Sequence, residues 1–208
     1  MKDIRIKKML DLVPNGATVL NIGCAQNPHI HRELAKKSRK IIGIDTNQHE
    51  LKKLAQKGFE TYVMDAEKIK LDCRFDCIIA GELIEHLNNP GLFLQSIDKY
   101  LKKNGTAILT TPNISSLFLY AIVVIFNQTQ DPTHVYYFDE KNLKTLIGRF
   151  NFRIKEIKYI PPDIKFHGKG ILFRSLFFAS TALANIGYLF NKRLFSSYLL
   201  IVIKRKNG

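Results

Sequence analysis

Residues 18–27 read TVLNIGCAQN, an apolar run that breaks at Gly23 into a short polar loop ahead of Pro28. Val19, Leu20 and Ile22 have the pattern of a buried strand, and the loop leaves its carboxyl end to open a helix. In open α/β sheets the crevice beyond the strand ends is where small molecules bind, and backbone N–H groups at a helix start suit an anionic group. Gly23 allows close backbone approach and conformations that a Cβ hinders. Asn27 followed by Pro28 reads as an N-cap and first helical residue.

Outward from this stretch, strand and helix patterns alternate. Residues 2–13 form an amphipathic helix with Ile6, Met9, Leu10 and Val13 on one side, ahead of the turn PNG at 14–16. KIIGID, 40–45, is a second strand ending at Asp45; ETYVM, 60–64, a third ending at Asp65; FDCIIA, 75–80, a fourth. A helix from Pro90 to Leu101 passes through a KNG turn into the fifth strand, TAILTT. Five strand and helix alternations predict a parallel sheet covered on both faces.

Beyond Pro112 the pattern changes. Ser115 to Phe126 is twelve uncharged residues, too short to cross a bilayer. Asp139 caps a helix carrying Leu143, Leu146 and Ile147; residues 151–160 alternate like a strand; SYLLIVIKRK, 197–206, is the last strand. The apolar segment 171–190 has the length of a span, but a crossing would strand the final strand on the far side of the membrane, away from its sheet. A helix lying on a membrane surface or covering the pocket fits better, with Lys165, Lys169, Lys192 and Arg193 flanking it; a buried core helix is the alternative.

At 208 residues and 46% hydrophobic, the chain suffices for one α/β domain. Its three cysteines, Cys24, Cys73 and Cys77, form no CxxC pair, and no cleavable signal segment is apparent, so a reducing cytoplasm is expected. Of the net charge of +14, residues 141–208 hold +12, fourteen Lys and Arg against Glu156 and Asp163. That asymmetry points the C-terminal third towards something anionic: a membrane surface, an acidic substrate or nucleic acid.

VLNIGC, IIGID, MDAEKI, FDCIIAGELIEHLNNP and LKKNGTAILTTPN, in this order and spacing, resemble the five motifs of the class I S-adenosylmethionine-dependent methyltransferases, particularly the small-molecule branch of the ubiquinone-biosynthesis type. The resemblance covers roughly residues 15–160 and the last strand. It implies a Rossmann-like, seven-stranded, mostly parallel sheet with an antiparallel last strand, helices on both faces, and helical insertions after strands five and six. It divides a single domain, 1–208, into an N-terminal helix (1–14), a cofactor-binding half (15–113) and an acceptor-side half (114–208) with apolar helices at 115–126 and 171–190. S-adenosylmethionine is the implied cofactor. Its implied binding residues are Asn21, Gly23, Cys24, Ala25 and Asn27 in the first loop, Asp45 with Thr46, Asp65 with Ala66, and Ala80, Gly81 and Glu82 after the fourth strand. A carboxylate at Asp45 can accept both ribose hydroxyl hydrogens; the alternative is an N-cap for the following helix.

The first motif departs from the family. Asn21 stands where an acid is usual, so it offers no charge to the cofactor's ammonium group, and Ala25 and Asn27 replace glycines. Ala25 is expected to bring a methyl close to the ligand, and Asn27 to be tolerated because Asn visits left-handed conformations. The same departures argue against a nicotinamide dehydrogenase. In ELIEH, Glu82, Glu85 and His86 share one helical face without matching a zinc motif, so no metal is expected. His29 and His31 are expected at the surface and Cys77 in the core. DPTHVYYF, 131–138, should hang over the acceptor side, with His134 a candidate proton acceptor and Tyr136 and Tyr137 shaping the pocket, one of them facing the core.

The expected function is methyl transfer to a small, amphiphilic or lipid-linked acceptor, with an anionic membrane surface as partner and a cytoplasmic location, peripheral at the inner face of a membrane. A non-catalytic protein of this fold is the alternative. A nucleic-acid methyltransferase is disfavoured, because AGELIEH replaces the DPPY or NPPY of amino-methylating enzymes.

Overall fold

Thr18–Ile22 forms β1, hydrogen-bonded on one side to β2 (Lys40–Asp45) and on the other to β4 (Phe75–Gly81), with Leu20 opposite Ile42 and Ile78. The computed structural model describes residues 3–117, 119–120, 131–162 and 171–206. Its seven-stranded sheet continues through β3 (Glu60–Val63) beyond β2, and through β5 (Leu101–Pro112), β7 (Tyr198–Arg205) and β6 (Phe152–Ile160) beyond β4. β7 runs antiparallel to both neighbours and the other pairings are parallel. The chain leaves β1 towards β2 and returns on its other side as β4, so connections diverge at the β1 and β4 carboxyl ends. Such a point opens a crevice in an α/β sheet.

Helices α1 (Ile4–Asp11) and α2 (Pro28–Ala35) cover one face, where Met9, Leu34, Val19, Cys77 and Ile79 pack together. Helices α4 (Pro90–Tyr100) and α5 (Glu140–Gly148) cover the other, over Leu20, Ile78 and Leu109. The alternation of Val19 and Leu20 between these two cores is the period of a strand buried on both sides. α3 (Gln48–Ala55) flanks β2, and a tight 3-10 turn at Ile84–His86 follows β4. Asp139 caps α5 as expected, in a reciprocal box with Asn142. After β6 come α6 (Ile171–Phe190) and α7 (Lys192–Phe195). The expected 115–126 helix falls largely outside the described residues, as do Lys165 and Lys169.

Two local expectations are corrected. KNG, 103–105, is not a turn: β5 begins at Leu101, directly where α4 ends, and the β4 and β5 ladder shifts register between Phe75 and Cys77. His31 is not at the surface but completely buried, while His29 is half-exposed beside Glu33. The cause is Gly43 on β2. A Cβ there would lie 2.7 Å from Cys24 Sγ and 2.8 Å from His31 Cε1, so the missing side chain is what admits the imidazole. Asn21 donates its amide N–H to His31 Nδ1 at 3.3 Å, and Phe59 meets the ring edge-on at 5.0 Å.

Burial pushes the His31 pKa down to about 4 from 6.5. Between these values the unfolded chain binds a proton that the folded chain does not, so stability falls as pH drops through that window and levels off below it. The shift corresponds to about 3 kcal/mol. Denaturant titrations at pH 7 and pH 4 should show that loss relative to His31→Leu; an equal pH dependence in both proteins would remove the account.

Candidate cofactor and acceptor site

Two adjoining cavities open at the carboxyl ends of β1 and β4, and both are walled by Ile22, Gly23 and Gln26. The larger, about 440 Å³, is lined further by Asp45, Thr46, Asp65, Ala66 and His86. The smaller, about 110 Å³, is lined by Arg5, Asn21, Asn27, Gly81 and Glu82 among others. The loop after β1 therefore stands between them.

Gly23 has φ +75, a conformation that side chains disfavour, and its N–H donates to Ile44 O at 2.9 Å. Cys24 and Ala25 turn the other way. Both are buried with Leu51 and Leu54 under α3, and neither lines either of these two cavities, so the methyl of Ala25 packs inward. Burial and the nearby Asp45 push the Cys24 thiol up to about 12, which makes it inert packing. Asn27 is the α2 N-cap residue with Pro28 behind it, but at φ −136 it needs no left-handed backbone, and its side chain makes no capping bond. Gln26, which periodicity does not single out, lines both cavities.

The Asp45 carboxylate is held at both oxygens: Oδ2 accepts the Ala25 N–H and Oδ1 the Asn47 N–H, each at 2.9 Å. Helix α3 is capped by Asn47, not Asp45, so the N-cap alternative falls away. A carboxylate has about four lone-pair sites. Two backbone bonds thus fix its orientation and leave acceptor capacity towards the cavity that it lines. Asp65 Oδ1 accepts the Glu67 N–H at 2.9 Å, and Ala66 follows it on the wall.

At the end of β4, Ala80 is buried in the core away from both cavities, and Gly81 lines the smaller one. Glu82 has φ +51, the sole positive value outside glycine among the described residues, and its N–H donates to Thr110 O at 2.9 Å. This conformation turns its carboxylate onto Arg5 of α1 in a close ion pair, with side-chain exposures of 28% and 10%. Arg5 also meets Asp3 at 3.3 Å and lies 5.0 Å over the Tyr198 ring. Burial raises the Glu82 pKa, and Arg5 opposes that rise. Arg5 was not singled out by the sequence; one basic residue in a surface-type helix carries no signal of its partner.

ELIEH does not present one face. Glu82 points to Arg5, Glu85 is buried at 1% exposure with its pKa pushed up to about 8 by burial, and His86 lines the larger cavity. The segment 131–138 reaches the same place. Its Val135 and Tyr136 N–H groups donate to Glu85 O, and Tyr136 Oη donates to Asn88 O at 3.1 Å. Tyr136 and Tyr137 are both exposed; Phe138 is the residue that enters the core.

Thr133 Oγ1 lies 2.6 Å from Asp131 Oδ1 and 2.8 Å from His86 Nδ1. The hydroxyl has one hydrogen, and the carboxylate, its pKa lowered by Thr133, can only accept it. His86 Nδ1 is then the donor, leaving Nε2 with the lone pair. His134 packs edge-on against His86 at 4.6 Å, its Nδ1 is buried without a partner among the described residues, and burial lowers its pKa. His86, unlike His134, lines the larger cavity. Glu85, His86 and His134 also offer ligand atoms within 4.8 Å of one another, a grouping that the ELIEH spacing could not reveal because His134 arrives on a distant loop.

A family profile described as "Methyltransferase domain" matches residues 3–157. The ubiquinone biosynthesis O-methyltransferase of Homo sapiens mitochondria is 26% identical over 151 residues, 62% of this chain and 40% of that one. The ubiquinone biosynthesis O-methyltransferase of Pelagibacter ubique is 26% identical over 130 residues, 59% of this chain and 53% of that one. The chain thus matches about half the length of these curated relatives. The fold superposes on a solved SAM-dependent methyltransferase of Archaeoglobus fulgidus with TM-score 0.67 and 21% identity, over 97% of this chain and 91% of that one.

Proposed function

The chain belongs to the methyltransferase-domain family, and from that premise we propose that it moves the methyl group of S-adenosylmethionine onto a small acceptor that gives up a proton. One observation carries the reading: the Gly23 loop divides a cavity walled by the Asp45 carboxylate from one walled by the Arg5 and Glu82 pair. These are acceptors suited to a ribose diol on one side and opposite charges suited to an amino-acid zwitterion on the other. Glu82 thereby supplies the negative charge that Asn21 lacks, since the Asn21 amide nitrogen is already given to His31.

When bound, the sulfonium supplies an electrophilic methyl carbon that needs no further activation. The protein's own part is proximity and orientation. Asp45 would hold the ribose hydroxyls, and Asp65 and Ala66, on the same cavity wall, would face the adenine. Gly81 keeps the wall beside the reacting centre thin; Met9 Cε would be 3.3 Å from a Cβ there. His86 Nε2 would take the proton that an acceptor hydroxyl gives up when it is methylated. Thr133 and Asp131 keep Nδ1 protonated throughout, and His134 buttresses the ring. The mitochondrial and bacterial relatives named for O-methylation support an oxygen acceptor.

Thermal unfolding with S-adenosylhomocysteine tests the reading. A ligand at about 100 times its dissociation constant stabilises by about 2.7 kcal/mol, which should raise the Tm by about 5–10 °C for a chain of this size. An unchanged Tm at millimolar ligand would overturn the cofactor assignment.

A further inference from the structure

Helix α6 wears its apolar side outward. Phe178, Leu183, Ile186, Leu189 and Phe190 are 55–86% exposed, and the other exposed positions from 175 to 189 among the residues whose side chains are described are Ser175, Ala179 and Ala182. No charged residue occurs between Ser175 and Phe190. A surface helix normally shows water its polar face.

The orientation is fixed from the other side. Ala184 is buried, Tyr188 Oη donates to Tyr159 O at 2.7 Å, and Asn185 Nδ2 donates to Pro162 O at 3.3 Å. A Cβ on Gly187 would lie 2.6 Å from Phe195 Cδ1, so α6 and α7 meet as closely as a glycine permits. The helix therefore cannot roll its apolar side inward without giving up these contacts. No helix among the described residues is long and apolar enough to cross a membrane. The contacts to Tyr159 and Pro162 put α6 at the carboxyl end of β6, the same end of the sheet as both cavities. Asn113, at the end of β5, ties in the next turn by donating to Arg193 O and Ser196 Oγ, each at 2.8 Å.

We infer that this face docks on an anionic lipid surface, with α6 lying in the interface plane. The argument is charge complementarity. The apolar face runs directly into exposed Lys192 and Arg193, within the C-terminal third that holds +12 of the chain's charge. An apolar face bordered by cations suits acyl chains beneath anionic headgroups. A second copy of the chain would set these cations near their own kind, and a nucleic acid offers the apolar face nothing to bury it. The inference does not depend on the methyl-transfer reading.

Co-sedimentation of the full chain with vesicles of phosphatidylcholine, with and without phosphatidylglycerol, tests it. Binding should require phosphatidylglycerol and weaken with salt. Both L189E/F190E and K192E/R193E should reduce it by at least about tenfold. All four positions are exposed, and an unchanged affinity for S-adenosylhomocysteine would show that the variants keep the fold and that the two assignments are separate. Three results would overturn the docking face: parent protein that binds neither vesicle, L189E/F190E that binds as well as the parent, or a soluble dimer that L189E/F190E converts to monomer while vesicles go unbound.

Discussion

Asp45→Ala is expected to weaken S-adenosylhomocysteine binding by at least about 100-fold in a calorimetric titration. Hydrogen bonds to a charged group contribute about 1.5–3 kcal/mol each, and the geometry leaves this carboxylate acceptor capacity for both ribose hydroxyls. The same substitution strips the Ala25 and Asn47 N–H groups of their acceptor. The apoprotein should therefore also lose about 1–3 kcal/mol, the cost of unsatisfied donors. Asp45→Asn separates the effects. Its amide can accept at one backbone N–H but must set a donor against the other, and it lacks the negative charge that strengthens bonds to the diol. Affinity within about threefold of the parent for Asp45→Ala would defeat the cofactor reading.

The second large effect is expected at Arg5→Met. The substitution keeps an apolar stem but leaves Glu82 largely buried without its partner, which costs about 3–5 kcal/mol in comparable buried pairs. Burial already raises the Glu82 pKa, and loss of Arg5 raises it further. A carboxyl whose folded pKa lies above its unfolded value binds more protons when folded, so the deficit should grow as pH rises above the usual carboxylate range. Affinity for S-adenosylhomocysteine should fall as well, since the cation proposed to meet its carboxylate is gone. The double variant Arg5→Met/Glu82→Gln removes the stranded charge. It should recover most of the stability and none of the affinity; recovery of both would make the pair a structural strut and nothing more.

Both predictions rest on contacts of different legibility. Asp45 could be read in advance because strand-end position and residue type are local facts: KIIGID is a strand wherever it sits, and its last residue faces the crevice. Arg5 could not, because its meaning comes from Glu82, remote in sequence, and from the positive φ that aims that carboxylate. The loop after β1 divides in the same way. Its turn at Gly23 was evident, whereas the inward packing of Cys24 and Ala25 depends on α3 arriving beneath them. His31 reads as a surface residue in the sequence because the space that receives it is made by Gly43 on another strand.

The sequence by itself determined the strands, the parallel pairing of the first five, the end of the sheet at which the cavities form, and the carboxylates available there, since hydrophobic period and turn residues act over a few residues at a time; the antiparallel last strand was implied by the family resemblance alone. Tertiary structure alone decided which way each polar side chain of GELIEH points, which histidine lines the cavity, and which face of α6 is left to solvent. Those outcomes turn on one side chain's volume or one dihedral angle where distant segments meet, and no local pattern in the chain encodes them.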